Sequence, residues 1–237
     1  MRKKTVSIAM AVYNGEKYLP EQIDSILVQL EEHDELIISY DPSQDGTHDL
    51  IREYEKRDKR IKVVENIEHS HGLVSNFENA LRNCRNDIIF YSDQDDIWMP
   101  GKINRIVQCF SDPGITVAIH DAKLTDEKLV ITHESTFKLR GGARKTIIGN
   151  LVRLSYIGCC MAFKKEMLKF VLPLPTYNRS HDWWTGCICM KYGKMALVNE
   201  QLILHRMHSS NATPKKRGNF MFQIRVRYII MKNLMKR

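Results

Sequence analysis

The first 96 residues alternate short apolar runs with segments of helical periodicity, and this alternation limits the possible folds more than any other feature. Strands are predicted at residues 5–12, 35–39, 61–65 and 87–92, and helices at residues 16–30, 48–59 and 73–84. Such alternation is typical of βαβ units, in which parallel strands end at the same edge of a sheet. Ligands bind at that edge. We therefore expect an α/β domain whose site follows the strands.

The second half of the chain is less regular. Helices are predicted at residues 102–110 and 164–171 and from His181 onward, and a strand at residues 116–120, while residues 126–139 fit neither period well. Neither an internal repeat nor a long linker divides the 237 residues, a length that suits one large domain or two small ones. The sequence therefore predicts one compact domain followed by a tail.

Positive charge is concentrated at the C-terminal end. The formal net charge is +8, and from Gln201 to Arg237 nine residues are basic and none is acidic. From Phe220 onward apolar side chains alternate with basic ones, which is typical of an amphipathic helix on an anionic membrane surface. The same pattern fits a helix that packs on the domain with its basic face in water. Nucleic-acid binding is not expected, because no aromatic and basic face recurs elsewhere in the chain.

Neither the apolar runs nor the cysteines indicate a membrane-spanning or secreted protein. No apolar stretch approaches the roughly 20 residues that cross a bilayer. The apolar run after Arg2-Lys3-Lys4 resembles a secretion signal but is shorter than most signal cores. The six cysteines form no CxxC pair and are expected to be reduced and mostly buried. We therefore expect a cytoplasmic protein.

Three carboxylates occur within four residues directly after the fourth predicted strand. Asp93, Asp95 and Asp96 repel one another, and burying them requires a compensating cation. Their oxygens are the hard ligands that Mg²⁺ and Mn²⁺ prefer. An exposed acidic turn or helix N-cap would use the same residues, but the apolar Ile97 and Trp98 that follow favour a fixed wall. The cluster therefore predicts a divalent-metal site.

The ends of the first two predicted strands carry groups suited to a nucleotide. Tyr13 follows the first strand and could stack on a base. Asp41 follows the second strand and could accept a hydrogen bond from a pyrimidine N3 or a ribose hydroxyl. Asp45 instead fits an Asx turn that leads into a helix. These strand ends belong to the same predicted sheet as the acidic cluster, so we expect them to contribute to one site.

Four segments together resemble a known family. They are residues 7–15, 41–47, 76–77 and 92–98. These segments resemble the family 2 glycosyltransferases of the GT-A fold. The Asp-Gln-Asp-Asp-Ile-Trp form is similar to the bacterial rhamnosyltransferase-like branch, which builds surface polysaccharides such as O-antigen and capsule. The resemblance runs from about residue 5 to residue 213, and the acidic segment with its tryptophan is the most specific part.

The resemblance implies a Rossmann-like mixed sheet flanked by helices and an inverting transfer of a sugar from a nucleoside diphosphate. Residues 1–96 would form the half that binds the nucleotide sugar, residues 97–213 the acceptor half, and residues 214–237 the basic tail. The donor would be a UDP- or dTDP-sugar, dTDP-rhamnose included. The acceptor would be a saccharide, expected to be lipid-linked, which implies a location at the inner face of the cell membrane.

The resemblance also implies roles for individual residues. Mn²⁺ or Mg²⁺ would be held by Asp95 and Asp93. In the segment that resembles the family's Arg-x-His-x-x-Asn, His208 would be a nitrogen ligand to the metal or a donor to the leaving diphosphate, and Arg206 would be a charge clamp on that diphosphate. Asp182 would be the general base that takes the proton of the acceptor hydroxyl, and Trp183 and Trp184 could stack on sugar faces. The alternative is an N-cap aspartate followed by core aromatics. Donor-binding residues would be Ala11, Tyr13, Asn14, Asp41, Asn76, Asp93 and Arg206, and acceptor-binding residues would be Trp98, Gly158, Trp183 and Trp184.

The chain departs from the family pattern beside two of these residues. His181 precedes the expected base where a glutamate is usual. Tyr40 and Pro42 flank Asp41 where a second aspartate and a glycine are more common, which leaves uridine and thymidine donors both open.

Two other functions compete with sugar transfer. A sugar nucleotidyltransferase also needs an acidic metal site, but it normally has a Gly-rich, basic phosphate loop, which residues 14–17 do not provide. A catalytically inactive domain that serves as a binding partner is the non-enzyme alternative. The joint presence of Asp93, Asp95, Asp182 and His208 argues against it.

Overall fold

One mixed sheet with helices packed against it organises the molecule. The structure, a computed structural model, describes residues 2–67, 72–175, 181–209, 211 and 220–236, except for the side chains of residues 220–223. Over these residues the strands are β1 (Val6–Val12), β2 (Glu35–Tyr40), β3 (Ile61–Glu65), β4 (Ile88–Ser92), β5 (Ile97–Trp98), β6 (Ile115–Thr125), β7 (Ile131–His133), β8 (Met161–Lys164) and β9 (Lys194–Arg206). Their order is β3-β2-β1-β4-β8-β6-β9-β5, and β7 pairs with β6.

The helices fill the connections between these strands. In the described part of the chain they are α1 (Leu19–Leu27), α2 (Thr47–Arg57), α3 (Leu73–Asn83), α4 (Lys102–Cys109), α5 (Thr136–Leu139), α6 (Ile147–Val152), α7 (Leu168–Val171), α8 (His181–Tyr192) and α9 (Phe220–Lys236). Short 3₁₀ turns precede and follow β8.

The first four strands form the parallel half of the sheet. All seven residues of β1 are buried, because β1 lies between two strands and is covered on both faces, as its nearly continuous apolar sequence predicts. β1 pairs in parallel with β2 on one side and with β4 on the other. The four predicted strands agree with β1 to β4 to within one residue at each end. Their parallel pairing confirms the βαβ prediction.

The second half adds antiparallel strands and returns the chain to the site. β8 lies antiparallel between β4 and β6, and β9 runs parallel to β6 along most of its length. β9 is 13 residues long and lies in a segment whose sequence pattern predicts neither a strand nor a helix. It also pairs with β5, with Ile97 opposite Leu204. The residues directly after the acidic cluster are therefore fixed to the last strand of the sheet.

The C-terminal helix α9 packs on the domain through one face. Val226, Ile230 and Leu234 are buried at successive helical turns, and the Nζ of Lys191 in α8 donates to the carbonyl oxygen of Leu234 at 2.7 Å. This contact agrees with the packed alternative for the tail. The tail residues 212–219, among them Lys215, Lys216 and Arg217, lie outside the described residues, as do Arg237 and the side chains of Phe220 and Phe222.

The cysteines and the helices can be compared with the predictions made for thiols and for membrane-spanning segments. All six cysteines are free and five of them are buried, as expected. Among the described residues, no helix has the length and apolar character needed to cross a bilayer.

We expect Ile230→Ala to lower the free energy of unfolding by about 2–4 kcal/mol, because it removes a side chain buried between α9 and the domain. Ile230 is 1% exposed, whereas Met235, on the same helix, is 75% exposed. Met235→Ala is therefore the matched control and should have little effect. Urea unfolding of both variants makes the comparison. Equal stability of the two would mean that α9 does not contribute to the core.

Candidate active site

The predicted site residues follow three neighbouring parallel strands. Tyr13 follows β1, Asp41 follows β2 and Asp93 follows β4, and in the sheet Val12 lies beside Tyr40 and Met10 beside Ser92. Because these strands are parallel, their carboxyl ends meet at one edge. The structure therefore brings the nucleotide-binding and acidic segments together, as the sequence predicts.

A buried ion pair anchors the acidic segment. Asp96 is completely buried, and its Oδ1 lies 2.8 Å from Nδ1 of His205 and accepts from the backbone N–H of Arg206 at 3.0 Å. Burial alone would lower the pKa of His205, but the negative charge of Asp96 and their hydrogen bond outweigh it and raise that pKa to about 10. Burial alone would raise the pKa of Asp96, and the positive charge of His205 lowers it. Both partners are thus charged at neutral pH.

The second carboxylate of the cluster meets the predicted histidine. Asp95 is 8% exposed, and its Oδ2 lies 2.8 Å from Nε2 of His208. The side-chain amide of Asn211 donates to the same oxygen at 3.2 Å. The ring of His208 also packs against Tyr18, with ring centroids 4.7 Å apart. Asp95 and His208 are therefore neighbours, as a shared metal site requires.

Arg206 supports this segment from behind. It is 4% exposed, its Nε donates to the carbonyl oxygen of Asp95 at 3.0 Å, and its two terminal nitrogens donate to the carbonyl oxygen of Glu127 and to the carboxylate of Glu21. The predicted clamp on a diphosphate requires an open guanidinium, and this one is directed at protein acceptors. Its position indicates that Arg206 orients Asp95.

The other two carboxylates of the cluster, Asp93 and Asp95, are less stable in their charged forms than free carboxylates are. Burial, together with the charges of Asp96 and Asp95, raises the pKa of Asp93. Burial likewise raises the pKa of Asp95, and so does the charge of Asp96. A buried cation, Lys102, lies on the inner side, where its Nζ donates to the carbonyl oxygen of Cys159 at 2.9 Å and lies 3.8 Å from the ring centroid of Trp98. Burial lowers the pKa of Lys102 to about 8.

Two groups of side chains near the cluster have metal-ligand chemistry. In the described part of the chain, the ligand atoms of Asp93, Asp96, Cys159 and His205 all lie within 4.8 Å of one another. In this inner group Nδ1 of His205 is already paired with Asp96. A hydrogen bond that the Cys159 thiol donates to Cys160, together with burial, raises the pKa of Cys159, so that it stays protonated. Outside this group, Asp95 and His208 offer a carboxylate oxygen and an imidazole nitrogen 2.8 Å apart, and the carboxylate is the kind of ligand that Mn²⁺ and Mg²⁺ prefer.

The turn after β1 is clamped by the acidic segment. The side chain of Gln94 accepts from the backbone N–H of Tyr13 at 2.8 Å and donates to the carbonyl oxygen of Tyr13 at 2.9 Å. The Tyr13 ring itself is 52% exposed. Asn14 adopts the left-handed conformation, with φ of 46°, and its side-chain oxygen accepts from the N–H of Gln44. The Tyr13 ring is thus presented at the edge on a fixed backbone.

The other predicted donor residues lie behind this turn. Ala11 is buried in β1, and Asn76, at 2% exposure, donates to the carbonyl oxygen of Val12 at 2.9 Å. Asp41 is also buried, and its two oxygens accept from Nδ2 of Asn66 at 2.7 Å and from the N–H of Gly72 at 2.9 Å. Asp41 therefore braces the start of α3 in addition to lying at the edge.

The predicted base lies near the start of α8, in the predicted acceptor half. Asp182 is half-buried in the first turn of α8, and its negative charge contributes to the raised pKa of Asp93, so the two carboxylates are electrostatic neighbours. Gly158 lies against it: a Cβ placed on Gly158 would lie 3.2 Å from that of Asp182 and 3.0 Å from Nε2 of His181. Gly158 thus allows close approach of the two segments.

His181 has a packing role beside Asp182. It is 5% exposed and stacks on Phe77, with ring centroids 4.1 Å apart and an interplanar angle of 27°. It also meets the ring of Tyr91 edge-on at 5.0 Å. The imidazole that stands in place of the family's glutamate is therefore part of an aromatic cluster beneath Asp182.

The three tryptophans are more buried than sugar-stacking platforms would be. Trp184 is 2% exposed, and its indole N–H donates to the carbonyl oxygen of Val171 at 2.9 Å, so it packs as a core residue. Trp98 is also 2% exposed and Trp183 8% exposed. Their indole N–H groups are buried and meet no acceptor among the described residues. The predicted stacking role of Trp184 does not fit its position.

Sequence reasoning missed two residues that build the site. His205 was assigned no role, although it lies next to Arg206 in the segment that resembles the family motif. Gln94 was passed over between two aspartates, although its side chain fixes the neighbouring turn. His205 lies two residues after the buried Ile203, and residues two apart in a strand point to the same face. This spacing indicates that His205 faces inward.

Comparison with known proteins agrees with this architecture. Residues 7–172 match the family model described as Glycosyl transferase family 2. Over 208 residues the chain is 35% identical to UDP-Glc:alpha-D-GlcNAc-diphosphoundecaprenol beta-1,3-glucosyltransferase WfgD of Escherichia coli, covering 88% of this chain and 78% of that protein. It is 24% identical to the dTDP-rhamnosyl transferase RfbG of Shigella flexneri, covering 85% of this chain and 72% of that one.

Solved glycosyltransferase structures share the fold at low sequence identity. TarS of S. aureus, residues 1–349 in complex with UDP-GlcNAc, has a TM-score of 0.72 at 17% identity and covers 97% of this chain and 67% of its own. The mannosyltransferase PcManGT of Pyrobaculum calidifontis, in complex with GDP-Man and Mn²⁺, has a TM-score of 0.66 at 18% identity and covers 96% of this chain and 61% of its own.

These matches identify the fold as GT-A, as predicted. Several of the matched proteins are longer: the chain spans 66% of a Nostoc glycosyltransferase to which it is 25% identical. The family model covers most of the described sheet and the acidic segment, and with the relatives it establishes that this chain belongs to glycosyl transferase family 2.

Proposed function

We propose that the chain is an inverting, metal-dependent glycosyltransferase that moves one sugar from a nucleoside diphosphate to a saccharide acceptor in bacterial surface-polysaccharide biosynthesis. One observation carries this proposal: the acidic segment after β4 lies beside the turn after β1, with Asp95 next to His208. A half-exposed aromatic ring, a carboxylate–imidazole pair and a separate carboxylate are the groups that such a transfer requires.

The donor would lie along the carboxyl ends of β1, β2 and β4. The Tyr13 ring, fixed by Gln94, would stack on the base. The side-chain oxygen of Asn76 is buried without a donor among the described residues, and it would accept a hydrogen bond from the nucleotide. The relatives named above use UDP- and dTDP-sugars. Both remain candidates for this chain, dTDP-rhamnose among them.

Asp95 and His208 would hold a divalent cation, Mn²⁺ or Mg²⁺, with Asp93 beside them. Oδ2 of Asp95 and Nε2 of His208 are 2.8 Å apart. Arg206 donates to the backbone carbonyl of Asp95 and Asn211 donates to its carboxylate, and both orient this residue. The donor set fits a hard divalent ion, as argued above. When bound, such an ion neutralises the charge on a departing nucleoside diphosphate.

Asp182 would act as the general base. It would take the proton of the acceptor hydroxyl as that oxygen attacks the sugar carbon from the face opposite the nucleotide, which inverts the configuration. Its place in the first turn of α8, against Gly158, fixes the carboxylate relative to the sheet edge. Trp183, the most exposed of the three tryptophans at 8%, is proposed to border the acceptor.

The acceptor is proposed to be lipid-linked, and the enzyme to be cytoplasmic and peripheral at the inner face of the membrane. The E. coli relative acts on a diphosphoundecaprenol-linked sugar, as its name states. The basic residues of α9 would attract an anionic membrane surface.

Asp95→Asn should weaken Mn²⁺ binding and lower transfer by about 10³-fold, because loss of a carboxylate ligand leaves leaving-group charge poorly neutralised. Electron paramagnetic resonance of free Mn²⁺ measures binding, and nucleotide release measures turnover. Asp49→Asn, whose parent side chain is 97% exposed on α2, is the matched control and should change neither. Wild-type turnover that persists in EDTA would contradict the metal assignment.

Asp182→Asn should lower transfer by about 10²-fold or more while donor affinity stays nearly unchanged, because a general base acts on the acceptor proton only. Donor affinity is measured by calorimetry with the nucleotide sugar and transfer by product formation. Gly158→Ala, which would press on Asp182 from the side, should lower transfer without removing the carboxylate. Parallel loss of donor binding in Asp182→Asn would place this residue in the donor pocket instead.

A further inference from the structure

A second acid-free stretch of the chain lies outside the C-terminal helix. Residues 135–165 contain seven basic residues and no Asp or Glu. Within them α6 exposes Ile148 by 76% and Val152 by 69%, one helical turn apart, while Asn150 and Leu151 are buried. In this six-residue helix the β-branched apolar side chains face outward and the asparagine faces inward. Exposing these apolar side chains to water does not stabilise the helix. The pattern indicates a contact outside the domain.

α9 presents a matching stripe on the face opposite its packed side. Four apolar side chains at helical spacing are exposed there: Ile224 by 44%, Tyr228 by 62%, Met231 by 48% and Met235 by 75%. Arg225, Lys232 and Lys236 are exposed beside them. The helix is therefore apolar on two sides, and only one of them meets the domain.

Arg227 joins the two helices. Its Nε donates to the carbonyl oxygen of Leu151 at 2.6 Å and its Nη2 to that of Val152 at 3.1 Å. A cation at the C-terminal carbonyls of a helix is electrostatically favourable. Val152 supplies one of these carbonyls, so the end of α6 lies beside α9 at Arg227, one residue before Tyr228 of the α9 stripe. We call them together the α6–α9 face: Ile148, Val152, Ile224, Tyr228, Met231 and Met235.

We propose that the α6–α9 face docks the enzyme on an anionic lipid bilayer, a contact made by two elements and not by the tail alone. This inference rests on the proposed function, which places a lipid-linked acceptor at the membrane. Exposed apolar side chains among basic ones complement a bilayer with anionic headgroups. A second copy of the chain would oppose basic residues to basic residues. α8, which begins with the proposed base, contacts both α6 and α9, so docking brings the acceptor half to the lipid.

Sedimentation with vesicles tests this face. The full chain is mixed at low salt with phosphatidylcholine vesicles that contain about 30 mol% phosphatidylglycerol, or none. Ile148→Ser/Val152→Ser should reduce partitioning into the anionic vesicles by about tenfold. Lys145 and Arg153 are exposed on either side of α6, and Lys145→Gln/Arg153→Gln should reduce it by about 30-fold. Val28→Ser/Val130→Ser is the matched control, because its parent side chains are 84% and 60% exposed elsewhere on the surface, after α1 and before β7. Unfolding midpoints of all variants should equal that of the wild type.

The outcomes separate this proposal from the proposed function. Partitioning that is unchanged in Ile148→Ser/Val152→Ser, or that is the same on neutral vesicles, overturns the two-element lipid face. Retention on an oligonucleotide in the absence of vesicle binding also overturns it and favours a nucleic-acid partner. Nucleotide release without vesicles is measured in parallel. If the protein docks through this face but releases no nucleotide, the transferase proposal is contradicted and the docking proposal is not.

Discussion

The buried ion pair between Asp96 and His205 is the interaction on which the geometry of the site depends. Three carboxylates in four residues cannot be packed against a sheet without a fixed positive partner, because burial and mutual repulsion both favour their neutral forms. His205 supplies that partner from the end of β9, and the backbone N–H of Arg206 adds a hydrogen bond to the same oxygen. With Asp96 held inward, the chain directs Asp93 and Asp95 toward the sheet edge.

This anchor also connects the two halves of the domain. The acidic segment follows β4, the last strand of the parallel half, while His205, Arg206 and His208 come from the end of β9 and the residues after it. Gln94 then clamps the turn after β1 from the same segment. One stretch of chain thus positions the proposed metal pair and the proposed nucleotide platform together. A shift of β9 would disturb all of these groups at once.

The sequence predicted the parallel half well, because there each strand and helix has a local periodicity and each connection is short. It also singled out Asp93, Asp95, Asp182 and His208 as candidates, through strand ends and a family resemblance. It did not reveal β9, whose pairing with β6 joins residues far apart in the chain, and therefore missed His205. Burial depends on the same distant contacts. That is why Arg206 was expected on a diphosphate and Trp184 on a sugar, whereas both side chains are bonded to protein carbonyls.

A double-mutant cycle on Asp96 and His205 tests this account most directly. Asp96→Asn, His205→Asn and the double variant are compared by urea unfolding, with Mn²⁺ binding measured on each. Each single change leaves one buried charge without its partner, so each should cost about 3 kcal/mol or more. The double variant should cost less than their sum by at least about 1 kcal/mol, and all three should bind Mn²⁺ more weakly than the wild type. Additive costs with unchanged Mn²⁺ binding would show that this pair does not hold the site in place.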